Sequence, residues 1–183
     1  MLSPEKLTVK AAEALQKAAS EGQSRGNAEI HGVHVLRALL EQSDGIVVPI
    51  LQKLEVNVDL VTARVLEALD SMARVEGGAD PTLSRDLRRV LDGATDVAKE
   101  LGDDFVSTEH LLLGLTGEKN DAGRILRDLG ATLSAVRATL DSVRGSHRVT
   151  DDSPEESYRA LDRFSRDLTE LARRGKLDPV IGR

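Results

Sequence analysis

The sequence predicts an all-α protein made of two related four-helix repeats, followed by a linker and one further helix. Apolar residues recur three and four positions apart along most of the chain, which is the helical period. No sustained alternation with period two is present, so no sheet is expected. Aromatic residues make up 2% of the 183 residues, so the core is expected to consist of Leu, Val, Ile and Ala. An internal duplication supplies the third observation and predicts that the repeats pack as a pseudo-twofold pair.

The duplication relates the two halves at a nearly constant spacing. Gly26 and Gly102 are 76 positions apart (102 − 26), and a one-residue deletion later changes the offset to 75. The matched pairs are Gly26 and Gly102, Ile30 and Val106, His34 and His110, Leu36 and Leu112, Leu39 and Leu115, then Leu51 and Leu126, Leu54 and Leu129, Val58 and Leu133, Val61 and Val136, Val65 and Leu140. A groove between two such units is a natural ligand site.

Capping residues predict where the helices begin. Ser3 and Pro4 are predicted to open the first helix, and glycines end it. Asn57 is predicted to cap the fourth helix, Ser84 the first helix of the second repeat, and Thr108 the next. The inward residues along these helices are Leu7, Ala11, Ala14, Leu15 and Ala18; Val35, Leu36, Leu39 and Leu40; Ile46, Ile50, Leu51 and Leu54; Val58, Val61, Val65 and Leu69; Leu87, Leu91, Ala94, Ala98 and Leu101; Leu111, Leu112 and Leu115.

The end of the chain differs in character from the repeats. We assign residues 1–145 to the repeat domain (repeats at about 3–73 and 82–143), 146–153 to a flexible linker, and 154–183 to a helix and entry segment. The small, polar stretches Gly145-Ser146-His147 and Thr150-Asp151-Asp152 are typical of a linker. Ser153, Pro154 and Glu156 then form a helix start with a capping box.

Composition excludes several classes of function. The chain has no cysteine, no apolar run long enough to span a membrane, and no secretory signal, so a cytoplasmic location is expected. A net charge of −6 argues against nucleic-acid binding. The sequence lacks the Gly-x-x-x-x-Gly-Lys-Ser/Thr loop that cradles nucleotide phosphates, so this chain is not expected to be an enzyme.

Two stretches carry a resemblance to a known family. Lys176-Leu-Asp-Pro-Val-Ile-Gly-Arg183 resembles the entry to the first ATPase module of Clp-type AAA+ unfoldases, and residues 158–172 are similar to the ClpB type. Residues 1–143 resemble the Clp N-terminal repeat domain, notably at Leu39–Ile46 and Gly102–Leu113. The resemblance therefore covers essentially the whole chain.

The resemblance implies the substrate-recognition domain of an ATP-dependent disaggregase, which binds unfolded or aggregated polypeptide and passes it to a ring pore. It also implies a parent homohexamer that uses ATP and Mg and cooperates with the DnaK chaperone system. This chain itself is expected to be monomeric and to hold no cofactor. An adaptor- and substrate-binding N-domain of a ClpC- or ClpA-type unfoldase, which feeds a protease, is the alternative.

The resemblance also implies site residues. By position, the client groove would use Thr8, Leu91, Asp103 and Glu109, and Val180 and Ile181 would form an incomplete adenine-side segment. Each groove residue has a structural alternative: core packing for Leu91, helix capping for Asp103 and Glu109, and a solvated position for Thr8. His31 and His34 have no third ligand nearby, so no metal site is predicted, and the matched His34 and His110 favour a structural role.

Overall fold

The computed structural model describes residues 3–75, 80–144 and 148–154, and it contains two four-helix repeats. A short 3-10 helix, Pro4–Lys6, precedes the first repeat. The first repeat has helices α1 (Val9–Arg25), α2 (Gly32–Leu40), α3 (Val47–Lys53) and α4 (Val58–Asp70), with strand β1 (Glu29–Ile30) between α1 and α2. Strand β2 (Thr82–Leu83) precedes the second repeat, which has α5 (Arg85–Leu101), α6 (Thr108–Gly117), α7 (Asp121–Asp128) and α8 (Leu133–Arg144). The predicted all-α repeat fold is confirmed.

Equivalent side chains cap the first helix of each repeat. The Thr8 hydroxyl accepts a hydrogen bond from the Ala11 N–H (3.3 Å), and the Ser84 hydroxyl accepts one from the Leu87 N–H (3.2 Å). These two bonds satisfy backbone donors that the first turn of a helix leaves free. The predicted start of the first helix at Ser3-Pro4 is therefore wrong. Those residues lead into the 3-10 turn, and the α-helix begins after Thr8.

Glycines end α1 and α5 in the same conformation. Gly26 and Gly102 both have φ 71°, in the left-handed region that side chains with a Cβ rarely adopt. Their shared positive φ explains why glycine recurs at this position in both repeats. The duplication detected in the sequence is thus also a duplication of backbone geometry.

The two repeats are joined by reciprocal backbone pairing. β1 pairs in parallel with β2, which places Ile30 opposite Leu83, and an isolated parallel bridge joins Leu7 to Val106. Leu7 is equivalent to Leu83, and Ile30 is equivalent to Val106. The residues just before the first helix of each repeat therefore pair with the other repeat. The prediction of no sheet is wrong at this point. Two-residue strands are too short for a period to show, and their pairing arises from the approach of the two repeats.

A single aliphatic cluster forms the core of the described chain. Every buried member of this cluster is Ala, Val, Leu or Ile, as the scarcity of aromatic residues led us to expect. Helix α6 is buried on all sides from Thr108 to Thr116, and it packs against α5. No helix in the described part of the chain is both long and apolar enough to cross a membrane.

Residues after α8 return to the bundle. The Asp104 N–H donates to the Val149 carbonyl (2.9 Å), and the Val9 N–H donates to the Asp152 carbonyl (2.8 Å). Val149 is fully buried. The segment from 148 to 152 lies inside the predicted linker of 146–153, but it is hydrogen-bonded to both repeats. The predicted helix and entry segment lies outside the described residues beyond Pro154.

Candidate functional site

The loop between α5 and α6 gathers three of the four predicted groove residues. Asp103 lies in this loop, Glu109 is the second residue of α6, and the Thr8 N–H donates to the Val106 carbonyl (3.0 Å). Thr8 and Glu109 are fully buried, and the Asp103 side chain is also buried. The sequence interpretation of Thr8 as a solvated position is therefore wrong, because its hydroxyl caps α1 inside the structure.

Leu91 lies apart from this loop, in the apolar core. It occupies the N-terminal half of α5, where 8% of its surface is exposed. Its neighbour Val90 faces α6 at Gly114, so this part of α5 is in tight contact with the next helix. Core packing accounts for the apolar character of Leu91.

Glu109 is a buried carboxylate in the first turn of α6. Both of its carboxylate oxygens are buried, and neither has a hydrogen-bond partner in the described part of the chain. The equivalent residue of the first repeat, 76 positions earlier, is the buried Val33. The fold therefore accommodates an apolar side chain at this position. Because burying a carboxyl group without hydrogen bonds is costly, the second repeat keeps this polar side chain at the expense of stability.

Asp103 is held by three groups. Its Oδ1 accepts hydrogen bonds from Arg144 Nη2 (2.7 Å) and the Val149 N–H (2.8 Å), and its Oδ2 lies 2.9 Å from His110 Nε2. Burial alone would raise the pKa of Asp103, but the contacts with His110, Arg144 and the Val149 N–H outweigh burial and hold that pKa well below its usual range. The carboxylate is thus a charged structural anchor.

The matching position in the first repeat is neutral. Asn27 replaces Asp103, and its Oδ1 lies 3.1 Å from His34 Nε2. His34 Nδ1 accepts a hydrogen bond from the His31 N–H (3.0 Å), so Nε2 carries the proton and donates to Asn27. In the second repeat, His110 Nδ1 likewise accepts from the Ser107 N–H (2.9 Å). The recurring histidines therefore secure the start of α2 and α6.

Burial makes His34 sensitive to acid. Desolvation lowers its pKa from 6.5 to about 4. The unfolded chain then binds more protons than the folded chain between these values, so stability is fully present above pH 6.5 and is lost as the pH falls toward 4. We expect the free energy of unfolding, measured with urea, to fall by about 2 kcal/mol between pH 7.5 and pH 5 because of His34.

The variant His34→Gln isolates this contribution. It leaves the other three histidines of the chain in place. The difference between the two pH profiles therefore reports the loss of the His34 imidazole. Identical profiles would show that His34 is not the group responsible.

His31 lies near two acidic side chains. Its Nδ1 lies 3.4 Å from Asp86 Oδ1, and its Nε2 lies 3.7 Å from Glu29 Oε2. No set of three or more His, Cys, Asp or Glu side chains within the described ranges has an arrangement that could hold a metal ion. His31 instead contacts an acidic side chain of the opposite repeat through Asp86. Val180 and Ile181, predicted beside an adenine, lie outside the described residues.

Sequence reasoning missed two partners of Asp103. Arg144 and Val149 are both buried, and both donate to its carboxylate. The offset of 75 aligns Arg144 with the buried Leu69 of the first repeat. The sequence did contain a signal for this buried ion pair. The second repeat has Arg144 where the first has Leu69, and it has Asp103 where the first has Asn27.

Comparisons with known proteins identify similar chains. Residues 6–129 match the family model described as the Clp repeat (R) N-terminal domain. The chain is 43% identical over 178 residues to the chaperone protein ClpB of Corynebacterium glutamicum, covering 96% of this chain and 21% of that protein.

Two solved structures share the fold. The N-terminal domain of Hsp104 from Candida albicans has a TM-score of 0.74 at 18% identity, over 82% of this chain and 99% of that one. A ClpV N-domain in complex with a VipB peptide has a TM-score of 0.57 at 20% identity, over 74% of this chain and 89% of that one.

Proposed function

Because the chain belongs to the Clp repeat (R) N-terminal domain family, we propose that it is the substrate-recognition domain of a ClpB-type disaggregase. It would bind unfolded or aggregated polypeptide and pass it to the pore of the ring. The chain spans about a fifth of the length of the curated relatives it matches (21%). ATP, Mg, the homohexameric ring and cooperation with the DnaK system would belong to the longer protein, in the cytoplasm. The ClpB names of these relatives favour this function over a ClpC- or ClpA-type role.

One observation supports the location of the client site: the unpartnered Glu109 carboxylate. A client chain brings backbone N–H groups and cationic side chains, and either could donate to this acceptor when client binding opens the domain at the start of α6. The apolar Val33 in the other repeat supports a functional reason for the charge, since the fold does not need it. Peptide binding by the ClpV N-domain with the same fold agrees with a peptide as the ligand.

Aliphatic side chains beside Thr8 would add non-directional attraction. Val9 is 44% exposed, and it follows Thr8 directly. Burial of apolar surface contributes about 25 cal/mol per Å², and association and ordering costs offset much of it. We therefore expect weak and adaptable binding, with a dissociation constant on the order of micromolar or higher. Six tethered copies in a ring would raise the effective concentration.

The variant Glu109→Val tests this proposal, because it should change stability and binding in opposite directions. Removal of an unpaired buried charge is expected to raise the free energy of unfolding by about 1–3 kcal/mol. Loss of the acceptor is expected to weaken client binding by about tenfold. Urea unfolding measures the first quantity. An NMR titration of the labelled chain with a permanently unfolded, reduced and alkylated polypeptide measures the second and maps the contact surface.

Glu67→Val is the matched control, because Glu67 is exposed on α4. It should leave client affinity unchanged. Shifts that avoid Thr8 and Glu109, or equal affinity of wild type and Glu109→Val, would contradict the site. A lack of binding by the wild-type chain would contradict the proposed function itself.

A further inference from the structure

Both carboxylate oxygens of Asp103 already contact groups inside the domain. Its Oδ1 accepts from Arg144 and from the Val149 N–H, its Oδ2 contacts His110, and the side chain is fully buried. We propose that Asp103 is a positioning residue that clamps residues 148–152 to the domain and so fixes where the chain leaves it. The sequence had instead placed Asp103 among the client-contacting residues.

The clamp consists of three backbone donors and one buried side chain. The Val149 N–H donates to Asp103 Oδ1 (2.8 Å), and the adjacent Asp104 N–H donates to the Val149 carbonyl (2.9 Å). Three residues later, the Asp152 carbonyl accepts from the Val9 N–H (2.8 Å). The Val149 side chain between these contacts is fully buried. The segment is thus held at the α5–α6 loop and again at the first residue of α1.

The first repeat contains the same device with the hydrogen bond reversed. Its return segment follows α4, where Asn27 Nδ2 donates to the Ala73 carbonyl (3.1 Å) and the Val75 N–H donates to the Gly26 carbonyl (2.7 Å). In the first repeat the returning segment presents the Ala73 carbonyl, and the Asn27 side-chain amide donates to it. In the second repeat the segment presents the Val149 N–H, and only an acceptor such as the Asp103 carboxylate can meet it. The choice of Asn or Asp therefore follows the polarity of the returning backbone.

The position of the clamp gives it a consequence that the first repeat lacks. The segment after α4 leads into the second repeat, whereas residues 148–152 follow the last helix of the described chain. Asp152 is bonded at the start of α1, and Pro154, the last described residue, is buried, so the clamp fixes the point from which the chain continues. Substitution of Asp103 would free the departing chain from this point, whatever its effect on client binding.

Hydrogen exchange on the full chain tests the clamp. In Asp103→Asn, the side-chain oxygen can take the place of Asp103 Oδ2 beside His110 Nε2, as the Asn27 oxygen lies beside His34 Nε2, but the amide N–H groups then face the donors of Val149 and Arg144. We expect exchange of the Val149 and Asp104 amides to become about 10- to 100-fold faster. Trypsin cleavage after the exposed Arg148 should accelerate as well, whereas core amides such as Leu36 should change far less.

Asp104→Asn is the matched control, since the Asp104 side chain is exposed and only its backbone joins the clamp. It should leave Val149 protection unchanged. Unchanged Val149 exchange and Arg148 cleavage in a folded Asp103→Asn chain would overturn the proposal.

If Asp103→Asn fails to fold, the variant Val149→Pro tests the clamp instead. This change removes the N–H that Asp103 accepts from and leaves the contacts of the carboxylate with His110 and Arg144 in place. Faster exchange at Asp104 and Val9 over a folded core supports the clamp, and wild-type exchange at both amides overturns it.

Discussion

Gly114→Ala is expected to lower the free energy of unfolding by about 3 kcal/mol. A Cβ atom at Gly114 would lie 2.5 Å from the Val90 carbonyl oxygen and 3.3 Å from the Ala94 N. These atoms belong to the backbone of α5, so they cannot move aside as the end of a side chain can. The two helices would have to separate, and the aliphatic packing between them would loosen. Urea denaturation at pH 7.5 measures the loss.

Gly93→Ala is the matched control on the same pair of helices. A Cβ atom at Gly93 would meet nothing within 4 Å. Alanine is favoured over glycine inside a helix, so this variant is expected to be more stable than wild type by about 0.5–1 kcal/mol. The two substitutions make the same chemical change with opposite expected signs. A stable Gly114→Ala chain would show that α5 and α6 do not approach as closely as the structure has them.

The sequence predicted the repeats but not this close approach. The residue equivalent to Gly114 is Ala38, so one repeat accepts a Cβ where the other does not. The residue facing it also differs, with Val90 in α5 and Ala14 at the matching position of α1. Helix-to-helix distance depends on both partners and on their backbone geometry, and spacing along the chain carries no information on it. The duplicated Gly26 and Gly102 were visible because a local left-handed conformation requires them.

The family resemblance brought three of the four candidate groove residues near one another, while their role in client binding stays a prediction. Thr8, Asp103 and Glu109 do meet around one loop, as their inferred common groove requires. The burial of Asp103 was not predictable from its neighbours, because its partners Arg144 and Val149 lie more than 40 positions later. Local patterns indicated a helix cap, and long-range pairing decided the outcome. The start of α6 illustrates the same limit, since Ser107 rather than the predicted Thr108 occupies its cap.

Arg144→Leu is expected to lower the free energy of unfolding by about 3–5 kcal/mol. Only 6% of the Arg144 side chain is exposed, and Asp103 is completely buried, so loss of the cation leaves an undercompensated charge in the interior. The first repeat shows how the same site is built without charge, with Asn27 in place of Asp103 and Leu69 in place of Arg144. The double variant Asp103→Asn/Arg144→Leu should therefore recover most of the lost stability. Urea unfolding of the wild type, both single variants and the double variant gives the coupling energy.

The exposed pair Arg137 and Glu100 supplies the reference cycle. Its atoms also approach to 2.7 Å, but 42% and 58% of the two side chains are exposed. Solvent screening should limit its coupling to about 1 kcal/mol or less, against at least about 2 kcal/mol for the buried pair. Equal coupling in the two cycles would contradict a buried ion pair. In the double variant, the bundle should regain stability because no unpaired charge is left in its interior. The side-chain amide at position 103 would still turn an N–H toward the Val149 N–H, so residues 148–152 should stay unprotected from exchange. That separation distinguishes a residue that only stabilises the core from one that also positions the departing chain.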